Sequence, residues 1–192
     1  METGFYGFPG GAVPQSSAAP TGGGTLALIG TQTLAAATAS IDFSGIPQTY
    51  TDLLLKVLAK SDAATNLSNL DLQFNGDSGN NYDWTLLSAT TSATATNVTA
   101  TNVIQLGYTS AASSGAGTAG IQDVIIPNYA GTLFWKYVRG QGIYAYNTSA
   151  GGLNLLSVAG QWRSTAAITS LHLFLVTGNF VAGSTVILYG RT

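Results

Sequence analysis

The chain has 192 residues, of which 7% are charged, 45% are hydrophobic and 24 are glycine. This length and apolar content supply a single self-sufficient core, which excludes a disordered chain. Six basic residues against eight acidic ones leave no basic patch for a phosphate backbone, which excludes nucleic-acid binding. No apolar run approaches the roughly 20 residues of a membrane helix, so no membrane partner is expected, and without cysteine the chain has no disulfides or thiolate metal sites.

Residues 1–24 are predicted to form an extended N-terminal arm. The segment carries three of the five prolines and many glycines, which break both helices and strands. Phe5, Tyr6 and Phe8 lie within four positions, although aromatic residues are scarce in purely solvating tails. Two interpretations therefore stay open: a loose tail, or an arm that docks on a neighbouring surface. In the second, these three aromatic residues bind the partner.

Residues 25–192 are predicted to form one β domain. Apolar and polar residues alternate with a period of two along residues 53–60 and 70–75, which indicates half-buried strands. Similar short runs occur elsewhere in the domain, and turn signals such as Asn75-Gly76-Asp77 separate them. The further predicted strands are residues 40–43, 98–108, 121–126, 133–139, 153–162, 168–176 and 184–189.

Nine or ten short strands with regular turns predict an all-β fold, an antiparallel jelly-roll-like sandwich. A β-barrel or an immunoglobulin-like sandwich is the alternative architecture. Residues 88–101 and 109–120 consist of small residues, and each suits an exposed loop or a flat edge strand. Residues 115–120 match the G-x-G-x-x-G pattern, but a strand rather than a helix is expected to follow, so we interpret these glycines as loop residues.

No catalytic or metal-binding residues are predicted. His172, the only histidine, lies in a predicted strand without a nucleophile motif nearby, so we expect no enzyme activity. Asp71, Asp77 and Asp83 form a loose carboxylate cluster whose spacing specifies no glycosidase pair. The segment 75–83 contains oxygen ligands for Ca²⁺, but its Asn, Asp and Gly residues favour a hairpin turn. No cofactor is expected.

Two tyrosines are candidates for surface recognition. Tyr144 and Tyr146 share one face of a strand, where exposed rings would suit stacking against a sugar. Core packing is the simpler explanation of aromatic residues in a sheet. Both interpretations stay open, and a cell-surface glycan is retained as a candidate ligand.

Four segments resemble a family of small β-sandwich proteins encoded among the virion genes of tailed bacteriophages and prophages. They are LDLQFNGDSGNNY (residues 70–82), IIPNYAG (125–131), TAAITSLHL (165–173) and GNFVAGSTVILYG (178–190), and the last is the most specific. The segment ASIDFSGIPQTYTDLLLKV (39–57) is similar to the first strands of that family. The chain departs from the family pattern in its long N-terminal arm and in continuing past Leu-Tyr-Gly as Arg191-Thr192.

The resemblance implies a non-enzymatic jelly-roll module on a virion, usually a homotrimer. We therefore expect a capsid decoration (cement) protein whose arm binds the major capsid protein. The alternative is a short tail-fibre or baseplate protein that contacts tail proteins through its arm and a receptor or carbohydrate through its loops. A free carbohydrate-binding module is a third interpretation.

Overall fold

A computed structural model describes residues 24–90, 92–147 and 152–192. Within these ranges the protein is all-β, and its strands are numbered β1 to β12 in chain order. A single 3-10 turn, Ala112–Ser114, separates β7 from β8. The strands are β1 (Leu26–Thr33), β2 (Ser40–Phe43), β3 (Asp52–Ala59), β4 (Leu67–Phe74), β5 (Tyr82–Ala89), β6 (Ala93–Thr101), β7 (Ile104–Ser110), β8 (Gly120–Pro127), β9 (Lys136–Ala145), β10 (Leu153–Trp162), β11 (Leu171–Leu175) and β12 (Thr185–Arg191).

The strands form two antiparallel sheets. The larger sheet has eight strands in the order β1-β12-β3-β8-β9-β10-β5-β6, and the smaller has four in the order β2-β11-β4-β7. The chain changes sheet repeatedly, so neighbours in space are mostly distant in sequence. This arrangement confirms the predicted all-β, antiparallel class.

The core lies between the two sheets and follows from strand alternation. In β3, Leu53, Leu55, Val57 and Ala59 are buried, while Lys56 and Leu58 between them point outward. Because successive side chains alternate across a strand, one face of each sheet supplies the core and the other faces solvent. Aromatic residues complete the packing, and the Phe74 and Trp162 rings lie 5.7 Å apart.

Three sequence predictions differ from the structure. Residues 133–139 were expected to form a strand, but β9 begins only at Lys136, and residues 128–135 form a loop. Residues 98–108 were expected as one strand, but they divide between β6 in one sheet and β7 in the other. Strands β1 and β5 were not among the predicted strands. The edge-strand alternative is confirmed for part of residues 88–101, because β6 lies at an edge of the larger sheet.

The two ends of the sandwich differ in what they carry. The proximal end is defined here by the start of the described chain at Gly24, its last residue Thr192, and the loops 44–51, 75–81, 128–135 and 163–170. The paired positions Leu26–Arg191, Arg191–Asp52 and Asp52–Pro127 place the first strand and loop 128–135 at this same end. The opposite, distal end carries the other main loops, among them 60–66 and 111–119.

The predicted arm lies outside the described residues, apart from Gly24. The same holds for its three aromatic residues, Phe5, Tyr6 and Phe8. The described ranges contain no helix of the length and apolar character that a membrane crossing requires.

Candidate functional site

The two most exposed large apolar residues of the described chain, Leu133 and Phe134, lie next to the exposed Trp135 at the proximal end. Leu133, Phe134 and Trp135 follow one another in the loop between β8 and β9, with 77%, 62% and 44% of their surface accessible. We call these three residues the apolar tip. Contiguous exposed apolar residues on a soluble protein mark a surface that another molecule covers. The tip is therefore the leading candidate for a binding site.

The base of this loop is fixed by a buried tyrosine. The side chain of Tyr129 is fully buried, and its hydroxyl donates a hydrogen bond to the carbonyl oxygen of Pro47. Its own carbonyl accepts a hydrogen bond of 2.9 Å from the backbone N–H of Ile168. A tight turn follows, in which the N–H of Gly131 donates to the carbonyl of Asn128 at 3.2 Å. The loop is thus attached to both neighbouring loops of the proximal end.

Lys136 holds the loop from the inside. Its side chain is 1% exposed, and its ammonium donates hydrogen bonds to the carbonyl oxygens of Gly131, Phe134 and Thr165. Burial lowers the pKa of this ammonium group. Three carbonyl acceptors replace the water that the ammonium loses, which is the condition under which a buried charge is tolerated. The tip backbone is therefore held in one conformation although its side chains face solvent.

An ion pair joins this loop to the last strand. Asp52 accepts hydrogen bonds from the backbone N–H of Asn128 at 3.2 Å and from Nε of Arg191 at 3.0 Å. Thr192, the next residue, is hydrogen-bonded to Thr25 at the start of the described chain. A continuous set of contacts thus connects the tip loop to the point from which the N-terminal segment leaves.

A second apolar surface lies on the outer face of the larger sheet. Leu58, Ile121, Ile143 and Leu155 are paired side by side on four adjacent strands and are 38–58% exposed. We call them the outer-face row. It lies near the distal end, so it is separate from the apolar tip. Exposed branched residues on an open sheet face are a second candidate for contact with protein.

Between this row and the proximal end, the outer face is concave. A depression of about 460 Å³ is lined by the Lys56–Asp123 ion pair, Arg139 and Gln141, among others. Tyr137 is 51% exposed beside it and borders a second, shallower depression with Asn97 and Gln161. An exposed ring flanked by amide groups is an arrangement suited to stacking on a sugar.

The two tyrosines chosen from the sequence lie elsewhere. Tyr144 is only 5% exposed, and its ring lies 5.5 Å from that of Tyr108, so it packs in the core. Tyr146 is half-buried just after β9 and packs against the same core. In this conformation the ring of Tyr144 offers no face to a ligand, and Tyr137 is the exposed tyrosine of this strand.

His172 lies on the outer face of the smaller sheet. Its Nδ1 is 2.6 Å from Oδ1 of Asp42, and the imidazole ring lies 5.1 Å from that of Phe174. Asp42 also accepts a hydrogen bond of 2.9 Å from the hydroxyl of Ser40. The pair is exposed on a sheet face, and the serine contacts the carboxylate rather than the imidazole. A nucleophile–base pair would require the serine next to the imidazole.

Asp77 organises the turn between β4 and β5. Its carboxylate accepts hydrogen bonds from the Trp162 indole at 2.6 Å, from Asn81 at 3.0 Å and from the Gly79 N–H at 2.8 Å. Burial raises the pKa of Asp77, but these hydrogen bonds outweigh it and lower the pKa overall. The oxygens considered for calcium thus hold a turn instead. No group of three potential metal-ligating side chains occurs among the residues that the structure describes.

Asp71 is a buried carboxyl group on the smaller sheet. It is 5% exposed, and its Oδ1 has no hydrogen-bond partner. It lies opposite Gln105 on β7, whose buried Nε2 is also unpaired. Burial raises the pKa of Asp71 to about 7. Titration of this carboxyl group makes the stability of the fold depend on pH. Asp71 is not close to the apolar tip.

The glycine pattern at residues 115–120 forms no phosphate site of the dinucleotide type. Gly115 and Gly117 lie in the loop after the 3-10 turn with positive φ, and Gly120 begins β8. The predicted strand after the pattern is confirmed.

In comparisons with known proteins, the chain matches no protein-family model, no curated protein and no solved structure.

Proposed function

We propose that this protein is a non-enzymatic structural protein of a bacteriophage virion. In this proposal it is a capsid decoration (cement) protein, whose body rests on the outer shell and whose N-terminal segment, residues 1–24, binds the major capsid protein. Its other partners are its own subunits in a homotrimer.

The order of the strands carries the proposal. Strands β1, β12, β3 and β8 lie side by side in the larger sheet and β2, β11, β4 and β7 form the smaller sheet, which is the order expected of two interlocked Greek keys. Strands β9, β10, β5 and β6 extend the larger sheet beyond β8. This arrangement supports a jelly roll, a fold common in viral capsid proteins.

The surface chemistry also supports a structural role. Only 7% of the residues are charged, and the exposed apolar tip and outer-face row provide two separate contact surfaces. A protein with two such surfaces is suited to sit between neighbours in an assembly. The resemblance of segments such as residues 178–190 to phage virion proteins points in the same direction.

The arm hypothesis is tested by reconstitution. Particles lacking the protein are incubated with the full chain or with the Phe5→Ala/Tyr6→Ala/Phe8→Ala variant, and bound protein is measured after sedimentation. We expect the variant to bind far more weakly, because concentrated apolar contacts must offset the ordering of an extended segment. Equal binding of both proteins would show that the arm is not the attachment element.

A short tail-fibre or baseplate protein with carbohydrate-binding loops is the second candidate. The exposed ring of Tyr137 beside Asn97 and Gln161 favours it. Glycan-array binding by the full chain that is lost in Tyr137→Ala, with particle copy numbers too low to cover a shell, would support this alternative over decoration.

A further inference from the structure

The apolar tip combines strong exposure with a fixed backbone. The side chains of Leu133 and Phe134 are mostly accessible, while Tyr129 and Lys136 on either side are buried and hydrogen-bonded to neighbouring loops. An exposed loop held in this way loses little conformational freedom when it binds. The arrangement is that of a preformed anchor rather than of a surface left uncovered by chance.

The tip also lies at the end from which the undescribed N-terminal segment departs. Gly24 leads into β1 at the proximal end, and four strand spacings separate β1 from β9 in the larger sheet. At about 4.8 Å per spacing, the departure point and the tip strand are roughly 19 Å apart. Twenty-three residues precede Gly24. A surface bound by that segment is therefore within direct reach of the tip.

The charges near the tip favour a protein partner over a membrane surface. Peripheral membrane sites combine apolar residues with exposed Lys or Arg that face anionic lipids. At this end Lys136 is buried against carbonyl groups, Arg191 is paired with Asp52, and Arg163 lies 3.7 Å from Asp83. The exposed Arg139 lies three residues further along β9, where it lines the depression on the outer face of the larger sheet. The tip thus presents apolar side chains next to neutralised charges, which suits an uncharged apolar pocket of a protein.

We propose that the apolar tip is a second attachment site, which inserts Leu133, Phe134 and Trp135 into an apolar pocket of the protein shell that the N-terminal segment binds. This inference rests on the proposed function. Two separate anchors at one end of the body fix its orientation on the shell. The second contact also forms readily, because the first one tethers it at high effective concentration. The distal end then faces away from the shell.

The test compares two variants of the full chain on particles that lack the protein. Leu133→Ser/Phe134→Ser removes two anchors and keeps Trp135 as a reporter. Leu153→Ser/Val176→Ser is the matched control, since these residues are 60% and 55% exposed at the distal end. We expect the tip variant to bind at least about tenfold more weakly, as truncation of buried interface anchors does, and the control to bind like the original protein. Acrylamide quenching of Trp135 should fall on binding, since Trp84 and Trp162 are already buried.

The outcomes separate this inference from the proposed function. If the original protein does not bind the particles, the proposed function fails and the tip proposal with it. If the original protein binds and the tip variant binds equally well, only the tip proposal is overturned. The tip proposal is also overturned if the original protein binds phosphatidylcholine–phosphatidylglycerol vesicles and the tip variant does not. It is overturned if the tip variant has a different oligomeric state from the original protein in sedimentation velocity. It is overturned as well if deletion of residues 1–23 alone makes Trp135 more accessible in the free protein.

Discussion

The ammonium group of Lys136 lies 3.2 Å from the carbonyl oxygen of Thr165, inside the proximal end of the sandwich. This contact joins the loop that carries the apolar tip to the loop between β10 and β11. It places a positive charge inside the protein, where backbone carbonyl oxygens accept its hydrogen bonds. The consequence is a rigid loop whose apolar side chains, not its charge, face outward.

Replacement of Lys136 by Met should destabilise the protein by about 1–3 kcal/mol. The apolar stem is kept, but carbonyl oxygens, including that of Thr165, lose a buried hydrogen-bond donor. Urea unfolding measures the change, and hydrogen exchange should accelerate in residues 131–135. Lys56→Met is the matched control, because the Lys56–Asp123 pair is exposed and its loss should cost under about 1 kcal/mol. Equal losses in the two variants would contradict the role assigned to Lys136.

Asp71 should make stability fall as pH rises from about 4 to 7. Its pKa is about 7 in the folded protein and near 3.8 when exposed, so the folded state binds the proton more tightly. The stabilisation from the neutral acid is complete below pH 4 and is lost as pH rises through 7. We compare the free energies of unfolding of Asp71→Asn and of the original protein. As pH rises from 4.5 to 8, the difference should shift in favour of Asp71→Asn by roughly 2–4 kcal/mol.

Urea unfolding of both proteins at the two pH values checks this expectation. Asp123→Asn is the control, since that carboxylate is 60% exposed and the stability difference should stay within about 0.5 kcal/mol across the range. A pH-independent difference for Asp71→Asn would show that the Asp71 carboxyl is solvated in solution.

Residues 25–192 should fold without the preceding segment. The buried core extends from Ile41 to Leu188, so removal of residues 1–24 takes away no core residue of the described chain. Circular dichroism of the truncated protein should show a β spectrum and a cooperative thermal transition. A longer truncation that begins at Leu34 also removes β1 and should associate, because it uncovers the edge of β12. A disordered 25–192 fragment would place the domain boundary elsewhere.

His172→Ala should leave particle binding unchanged and lower stability by no more than about 1 kcal/mol. The imidazole contacts Asp42 on an exposed sheet face, and such pairs contribute little. Particle sedimentation and urea unfolding measure the two effects. A hydrolytic activity that the original protein has and this variant lacks would contradict the non-enzymatic proposal.

The sequence predicts the strands whose two faces differ in polarity. Alternation in residues 53–60 and 70–75 locates β3 and most of β4, because one side of each strand is buried. Residues 133–139 lack such a period, since Leu, Phe, Trp, Tyr and Val surround a single lysine. Only the tertiary contacts of Lys136 show that the strand begins there and that the three preceding residues are exposed.

The boundary between β6 and β7 has a similar explanation. Ala100 adopts φ 53°, and its backbone N–H donates to Asp83 at 2.7 Å. Positive φ favours glycine or asparagine, so an alanine at this position gives no local sign of a break. Ala100 thus lies in an irregular stretch just before the end of β6, which is held by a residue 17 positions earlier and is not visible in local sequence.

Quantitative mass spectrometry of purified virions that carry this protein tests the central proposal most directly, through the ratio of this chain to the major capsid protein. A decoration protein follows a symmetric shell lattice, so the account predicts a fixed ratio close to a simple fraction and a copy number on the order of hundreds per particle. A small multiple of three or six would assign the protein to the tail. Its absence from purified virions would contradict the structural role altogether.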